Sequence, residues 1–156
     1  MKPSFVVSNS SPLIALSQIE HLNLLEKLFT NVLVPLAVIQ EISANVTLPA
    51  WVIEHKLTQQ VGPRILRASL GPGESEAISL AIEINAELVI LDDLPARRLA
   101  NILELPIIDT LGILLASKRC GFLTAVKPCI DALIDFDFRI SYDLYKRVLL
   151  DAEEFI

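Results

Sequence analysis

The chain has 156 residues, 53% of them hydrophobic, which is ample for one buried core and one domain spanning 1–156. Its formal net charge of −6 excludes broad, sequence-independent binding of duplex DNA, which needs a basic face, but not a nuclease whose clustered carboxylates hold a cation. Mean hydropathy is high at +0.54, yet Pro, Asp, Glu or Lys interrupts each apolar run short of the roughly 18–20 residues a membrane-spanning helix needs.

Taken in order, Phe5-Val6-Val7 reads as a short buried strand. Ser8-Asn9-Ser10-Ser11-Pro12 turns out of it into a helix, with Ser11 as N-cap and Pro12 at the first helical position. His21 to Leu28 is a second short helix, and Val32-Leu33-Val34 a second strand. Pro35 opens a helix through Ile42 that carries Glu41. Between Leu48 and Leu70, Pro49-Ala50-Trp51-Val52 reads as a packed anchor, Lys56 to Val61 as an edge strand and Arg64 to Leu70 as a short helix.

Gly71-Pro72-Gly73-Glu74-Ser75-Glu76 is a sharp loop opening an amphipathic helix that Asn85 or Ala86 ends. Leu88-Val89-Ile90-Leu91 then reads as a strand buried on both faces, followed at once by Asp92-Asp93 and a helix from Pro95 to Leu103. Leu105-Pro106-Ile107-Ile108 is a fifth strand with Asp109-Thr110 at its carboxyl end. Helices follow over Leu111 to Cys120, closed by Gly121, over Ala125 to Phe136, and after Ser141 as N-cap. The alternation predicts a three-layer α/β/α domain around a mainly parallel sheet of about five short strands.

Functional groups in such sheets collect just beyond the carboxyl ends of strands. That edge gathers Asn9, Asp92, Asp93 and Asp109, with Glu41 and Glu74 or Glu76 offered by helices. Hard cations such as Mg²⁺ and Mn²⁺ take oxygen ligands of this kind, completed by waters and substrate phosphates. For Asp92-Asp93 and for the acids opening the Glu74 helix, plain helix capping is the competing explanation. Arg97 and Arg98, close behind the acidic pair, are candidate phosphate contacts. Without a GxxxxGKS/T loop or a GxGxxG turn, nucleotide-dependent classes are disfavoured.

Along nearly its whole length the chain resembles the PIN-domain family. The resemblance rests on Val6-Val7-Ser8-Asn9-Ser10-Ser11-Pro12-Leu13-Ile14, on Val34-Pro35 through Val38 to Glu41, on Gly73-Glu74-Ser75-Glu76-Ala77-Ile78, and on Leu91-Asp92-Asp93 with Ala96-Arg97-Arg98-Leu99-Ala100. Thr110-Leu111-Gly112-Ile113-Leu114 and Phe138-Arg139-Ile140-Ser141 resemble one prokaryotic branch. It implies a Mg²⁺- or Mn²⁺-dependent endoribonuclease directed at single-stranded RNA, related to toxins that form homodimers and are inhibited by a small antitoxin protein. It also implies Glu41 and Asp93, or its neighbour Asp92, as metal-binding acids and Glu74 or Glu76 as the helical acid. The candidates are thus Asn9, Glu41, Glu76 and Asp93 as catalytic and Glu41, Asp93, Asp92, Glu74 and Asn9 as metal ligands, with Asp109 offered from the neighbouring strand end to restore a carboxylate, and Ser10, Arg97 and Arg98 as substrate contacts. Asn9 departs from the family, which usually has Asp there; an amide oxygen still coordinates a hard cation but brings no charge and cannot act as a base.

Two other readings compete. A non-catalytic PIN-like module that binds RNA or a partner protein fits Asn9 well. A phosphoacceptor receiver domain shares the sheet, but its acidic pair should follow the first strand, where Ser8-Asn9-Ser10 stands. The surplus apolar surface calls for a buried sheet and a partner interface, hence a homodimer or a bound second protein. The start has no signal-peptide core, and Cys120 and Cys129 form no CxxC pattern, so a cytoplasmic chain with reduced thiols is expected.

Overall fold

Short β-branched runs become strands here because both of their faces are covered. In the computed structural model, which describes residues 2–42, 44 and 46–155, these are β1 (Val6–Ser8), β2 (Val32–Val34), β3 (Val52–Glu54), β4 (Leu88–Ile90) and β5 (Ile107–Ile108). Met1 and Ile156, the two ends of the expected 1–156 domain, lie outside the described residues. The sheet order is β3-β2-β1-β4-β5 and each pairing is parallel, so the sheet is more uniform than the mainly parallel one expected.

Two cores sandwich the sheet. Val6, Val32, Val34 and Ile90 point into one, filled by Leu13 and Leu16 of α1 (Ser10–Gln18), Leu24 and Leu25 of α2 (Leu24–Leu28) and Val38 and Ile42 of α3 (Leu36–Ile42). Val7, Leu33, Val89 and Leu91 point into the other. There they meet Ala77, Ile78, Leu80 and Ala81 of α5 (Pro72–Glu83), and Ala96 and Ala100 of α6 (Leu94–Ile102). The short α4 (Val61–Leu66) packs on α5. The first core is completed by α7 (Thr110–Arg119), α8 (Lys127–Asp135) and α9 (Tyr142–Asp151). The result is the three-layer α/β/α arrangement.

Several local expectations shift. The edge strand is Val52–Glu54, not Lys56 to Val61, because β3 pairs only with β2 and buries Val52 alone, leaving no apolar run to read. Asn9, not Ser11, occupies the N-cap of α1. The helices expected over His21 to Leu28 and Arg64 to Leu70 are shorter or earlier, at Leu24–Leu28 and Val61–Leu66. Gly121 closes α7 as expected, with φ +81°, where a side chain would be strained. Cys120 is exposed and Cys129 buried, both free thiols. No described helix is long and apolar enough to cross a membrane.

The strand order places the site. The chain steps outward from β1 to β2 and β3, then returns to the other side of β1 for β4 and β5. The crevice at the carboxyl ends of β1 and β4 is thus the topological switch point, where ligands bind in open parallel sheets. Register brings the two ends level: Ser8 pairs with Ile90, and the Asn9 N–H donates to the Ile90 carbonyl at 3.1 Å.

Candidate active site

Asn9 is fully buried, in extended backbone (φ −81°, ψ 173°) at the N-cap of α1, yet its side chain makes no capping bond. Asn is a favoured cap, so the amide has been drawn elsewhere. Its Nδ2 donates to Glu74 Oε1 at 3.3 Å, while Oδ1 is buried with no hydrogen-bond partner. Buried polar atoms are nearly always paired, and an orphaned acceptor on an amide that contacts Glu74 points to a missing donor or cation. Beside it, Ser10 Oγ donates to Glu41 Oε2 at 2.5 Å.

The glycines at the start of α5, Gly71 at its N-cap and Gly73 in its first turn, make room for these acids. A Cβ on Gly73 would lie 2.8 Å from Glu41 Cδ, and one on Gly71 would lie 2.6 Å from Glu74 Oε2. Neither glycine has positive φ, so space, not backbone conformation, requires them. This cradle escaped the sequence reading, which took Gly71-Pro72-Gly73 as a turn. The signal was there: two glycines spaced by one residue just before an acid.

Glu76 was expected among the catalytic acids, and the structure does not bring it there. Its Oε1 accepts from the Ala37 N–H at the start of α3 at 3.1 Å, and its Oε2 from Arg67 Nη2 at 3.1 Å. Its carboxylate thus anchors α3 and α4 to α5, and Glu74 is the member of the pair that joins Asn9.

Asp92 and Asp93 separate in the same way. Asp93 Oδ2 accepts from the Ala96 N–H at 3.0 Å and caps α6, which is the helix-capping explanation realised. Asp92, half-buried at the end of β4, accepts from the Thr110 N–H at 2.8 Å and from Thr110 Oγ1 at 2.6 Å. Burial pushes the Asp92 carboxyl above the ordinary carboxylate range; the two Thr110 bonds and Arg97 oppose this, while nearby Asp109 adds to it. Asp109 Oδ1 caps α7 through the Gly112 N–H at 2.8 Å, and its Oδ2 lies 3.5 Å from Arg97 Nη1. Arg97 Nε is buried without a partner, whereas Arg98 is exposed. Thr110, which holds Asp92, was not among the expected site residues; it follows Asp109 directly, and only the approach of β5 to β4 gives it a role.

The candidate site therefore has two halves, one beyond the carboxyl end of β1 and one beyond those of β4 and β5. Asn9, Ser10, Glu41 and Glu74 form one, and Asp92, Asp109, Thr110 and Arg97 the other. Among the described residues no group of three or more His, Cys, Asp or Glu comes close enough to hold a metal by itself. Asn9 Oδ1, Glu41 and Glu74 are the oxygen donor types that a hard divalent cation takes.

No curated protein matches the chain. A family model described as a PIN domain matches residues 5–154, a span that takes in all of the strands and helices above. PIN domains are generally nucleases and generally use divalent metal ions. This chain belongs to the PIN-domain family.

Proposed function

We propose that this chain is a Mg²⁺- or Mn²⁺-dependent endoribonuclease that hydrolyses phosphodiester bonds in single-stranded or looped RNA. The observation that carries this reading is Asn9 Oδ1, buried and unpartnered on an amide whose Nδ2 contacts Glu74, at the switch point of the sheet. The residues fit a hard cation: Asn9 Oδ1, Glu41 and Glu74 would hold it, with Asp92 on the neighbouring strand end. When bound, the cation supplies Lewis-acid activation of water and of the phosphate. Ser10 holds Glu41 in orientation, and Thr110 does the same for Asp92. The Arg97 guanidinium, only loosely paired with Asp109, is free to meet a phosphate oxygen.

The same reading makes the protein toxin-like and cytoplasmic, working as a homodimer and held in check by a small antitoxin protein. Exposed Val61, Ile65, Ile82 and Ile102 on α4, α5 and α6 support a protein partner. A second reading, a non-catalytic module that binds RNA or a partner protein, draws on one observation: Asn9 cannot act as a base, and Glu41, Glu74 and Asp92 each already accept a bond from the protein.

Calorimetric titration with Mn²⁺, followed in the same sample by cleavage of a mixed RNA pool, tests the choice. Binding with Mn²⁺-dependent cleavage that Asp92→Asn abolishes is the expected result. Binding without cleavage, or no binding, transfers the conclusion to the non-catalytic module.

A further inference from the structure

The Asn9 side chain, fully enclosed just beyond β1, lies within hydrogen-bond distance of Glu74 Oε1. Asn presents a donor and an acceptor on one short stem, and here the donor end is the one Glu74 receives. Turned over, Oδ1 would stand against Glu74 Oε1, two acceptors with no proton between them. The other Glu74 oxygen, Oε2, lies 2.6 Å from where a Cβ on Gly71 would stand, in space the glycine leaves open. Glu41, held by Ser10, completes the group.

We propose that the Asn9 amide N–H performs part of the structural work of a cation in an all-carboxylate site. It holds Glu74 in place with a neutral donor, so the acidic group is assembled before any divalent ion arrives, and Oδ1 remains to ligate the ion. A carboxylate at position 9, itself fully buried, would face the partly exposed Glu74 carboxylate at the same short spacing, where like charges repel. Asn9→Asp therefore exchanges a preassembled site for one whose assembly depends on the ion. Only the ion-dependent half of this inference rests on the proposed metal-dependent function.

Thermal unfolding of the full chain tests it, after chelation of residual metal and again with added Mn²⁺, at one neutral pH. Without ion, Asn9→Asp lowers Tm by about 3–10 °C, the size expected when a buried pair loses its donor. The double variant Asn9→Asp/Glu74→Gln, which moves the amide to the other side of the pair, recovers more than half of that loss. Mn²⁺ raises the Tm of Asn9→Asp by clearly more than that of the unmodified chain. An ion-free Tm unchanged by Asn9→Asp overturns the inference. So does a double variant no more stable than the single one, including the case in which neither folds. If the double variant recovers but Mn²⁺ stabilises nothing, the amide clamp stands and the metal-dependent function falls.

Discussion

Gly73→Ala separates the site from the fold. The added methyl would stand 2.8 Å from Glu41 Cδ and closer still to its two oxygens. Something must move, and the end of an exposed glutamate moves more easily than the buried start of α5. Alanine gains up to about 1 kcal/mol of helix propensity over glycine, less in a first turn. Against this stands the Ser10–Glu41 bond, a charge-assisted contact worth about 1.5–3 kcal/mol when dry and less at an exposed carboxylate that water can serve. The two terms nearly offset, so Tm should change by no more than about 4 °C. The displaced carboxylate no longer reaches the crevice, and Mn²⁺ affinity should fall at least tenfold, about 1.4 kcal/mol. Calorimetric titration with Mn²⁺ reads the affinity, and thermal unfolding of the same sample controls for the fold. Glu41→Ala should produce the same loss, and the double variant little more, since both act on one carboxylate. Gly73→Ala binding Mn²⁺ as tightly as the unmodified chain would refute the reasoning and remove Glu41 from the site.

The remaining predictions concern the other acids and the far end of the chain. Glu74→Gln should weaken Mn²⁺ binding at least tenfold, whereas Glu76→Gln should leave it unchanged and lower Tm by loosening α3 and α4; equal effects on binding would contradict the division drawn between them. Thr110→Val removes the 2.6 Å hydroxyl bond to half-buried Asp92 and should cost about 1–3 kcal/mol, a Tm loss of roughly 3–10 °C by differential scanning calorimetry; a loss under about 1 °C would mean Asp92 does not depend on that hydroxyl. Glu154 accepts from the N–H groups of Val126 and Lys127 and from Lys118 Nζ, joining the end of the chain to α7 and α8. Burial by itself would raise the Glu154 carboxyl, but these donors outweigh it and hold it below its ordinary 4.5. A depressed folded value means stabilisation that is complete above that ordinary value and lost as pH falls through the folded one. The Tm gap between the unmodified chain and Glu154→Gln should therefore be full near neutral pH and shrink as acid is added below about 4.5; a gap undiminished in strong acid would refute the assignment.

The architecture was legible because local pattern and burial agree. Val6-Val7, Val32 to Val34, Leu88 to Ile90 and Ile107-Ile108 are apolar on both faces, which only a covered parallel strand requires. Carboxyl ends carrying Asn9, Asp92 and Asp109 follow directly from those strands, so the edge on which the site lies could be read from the chain alone. What the chain alone left open was orientation. Glu74 and Glu76 stand about 200° apart around one helix, and which of them turns toward Asn9 depends on the way Ala77, Ile78, Leu80 and Ala81 seat α5 on the sheet. Asp92 and Asp93 are neighbours in sequence, and their division into a half-buried strand-end acid and a helix cap awaits Thr110, 18 residues later, at the start of the helix that follows the next strand. Strand β3 was missed because an edge strand with one buried residue carries almost no periodic signal. The sequence by itself thus determined the layers, the sheet edge and the chemical character of the site. Only the tertiary structure decided which oxygens meet and that two glycines clear space for them, because side-chain direction is set by packing between segments far apart in the chain.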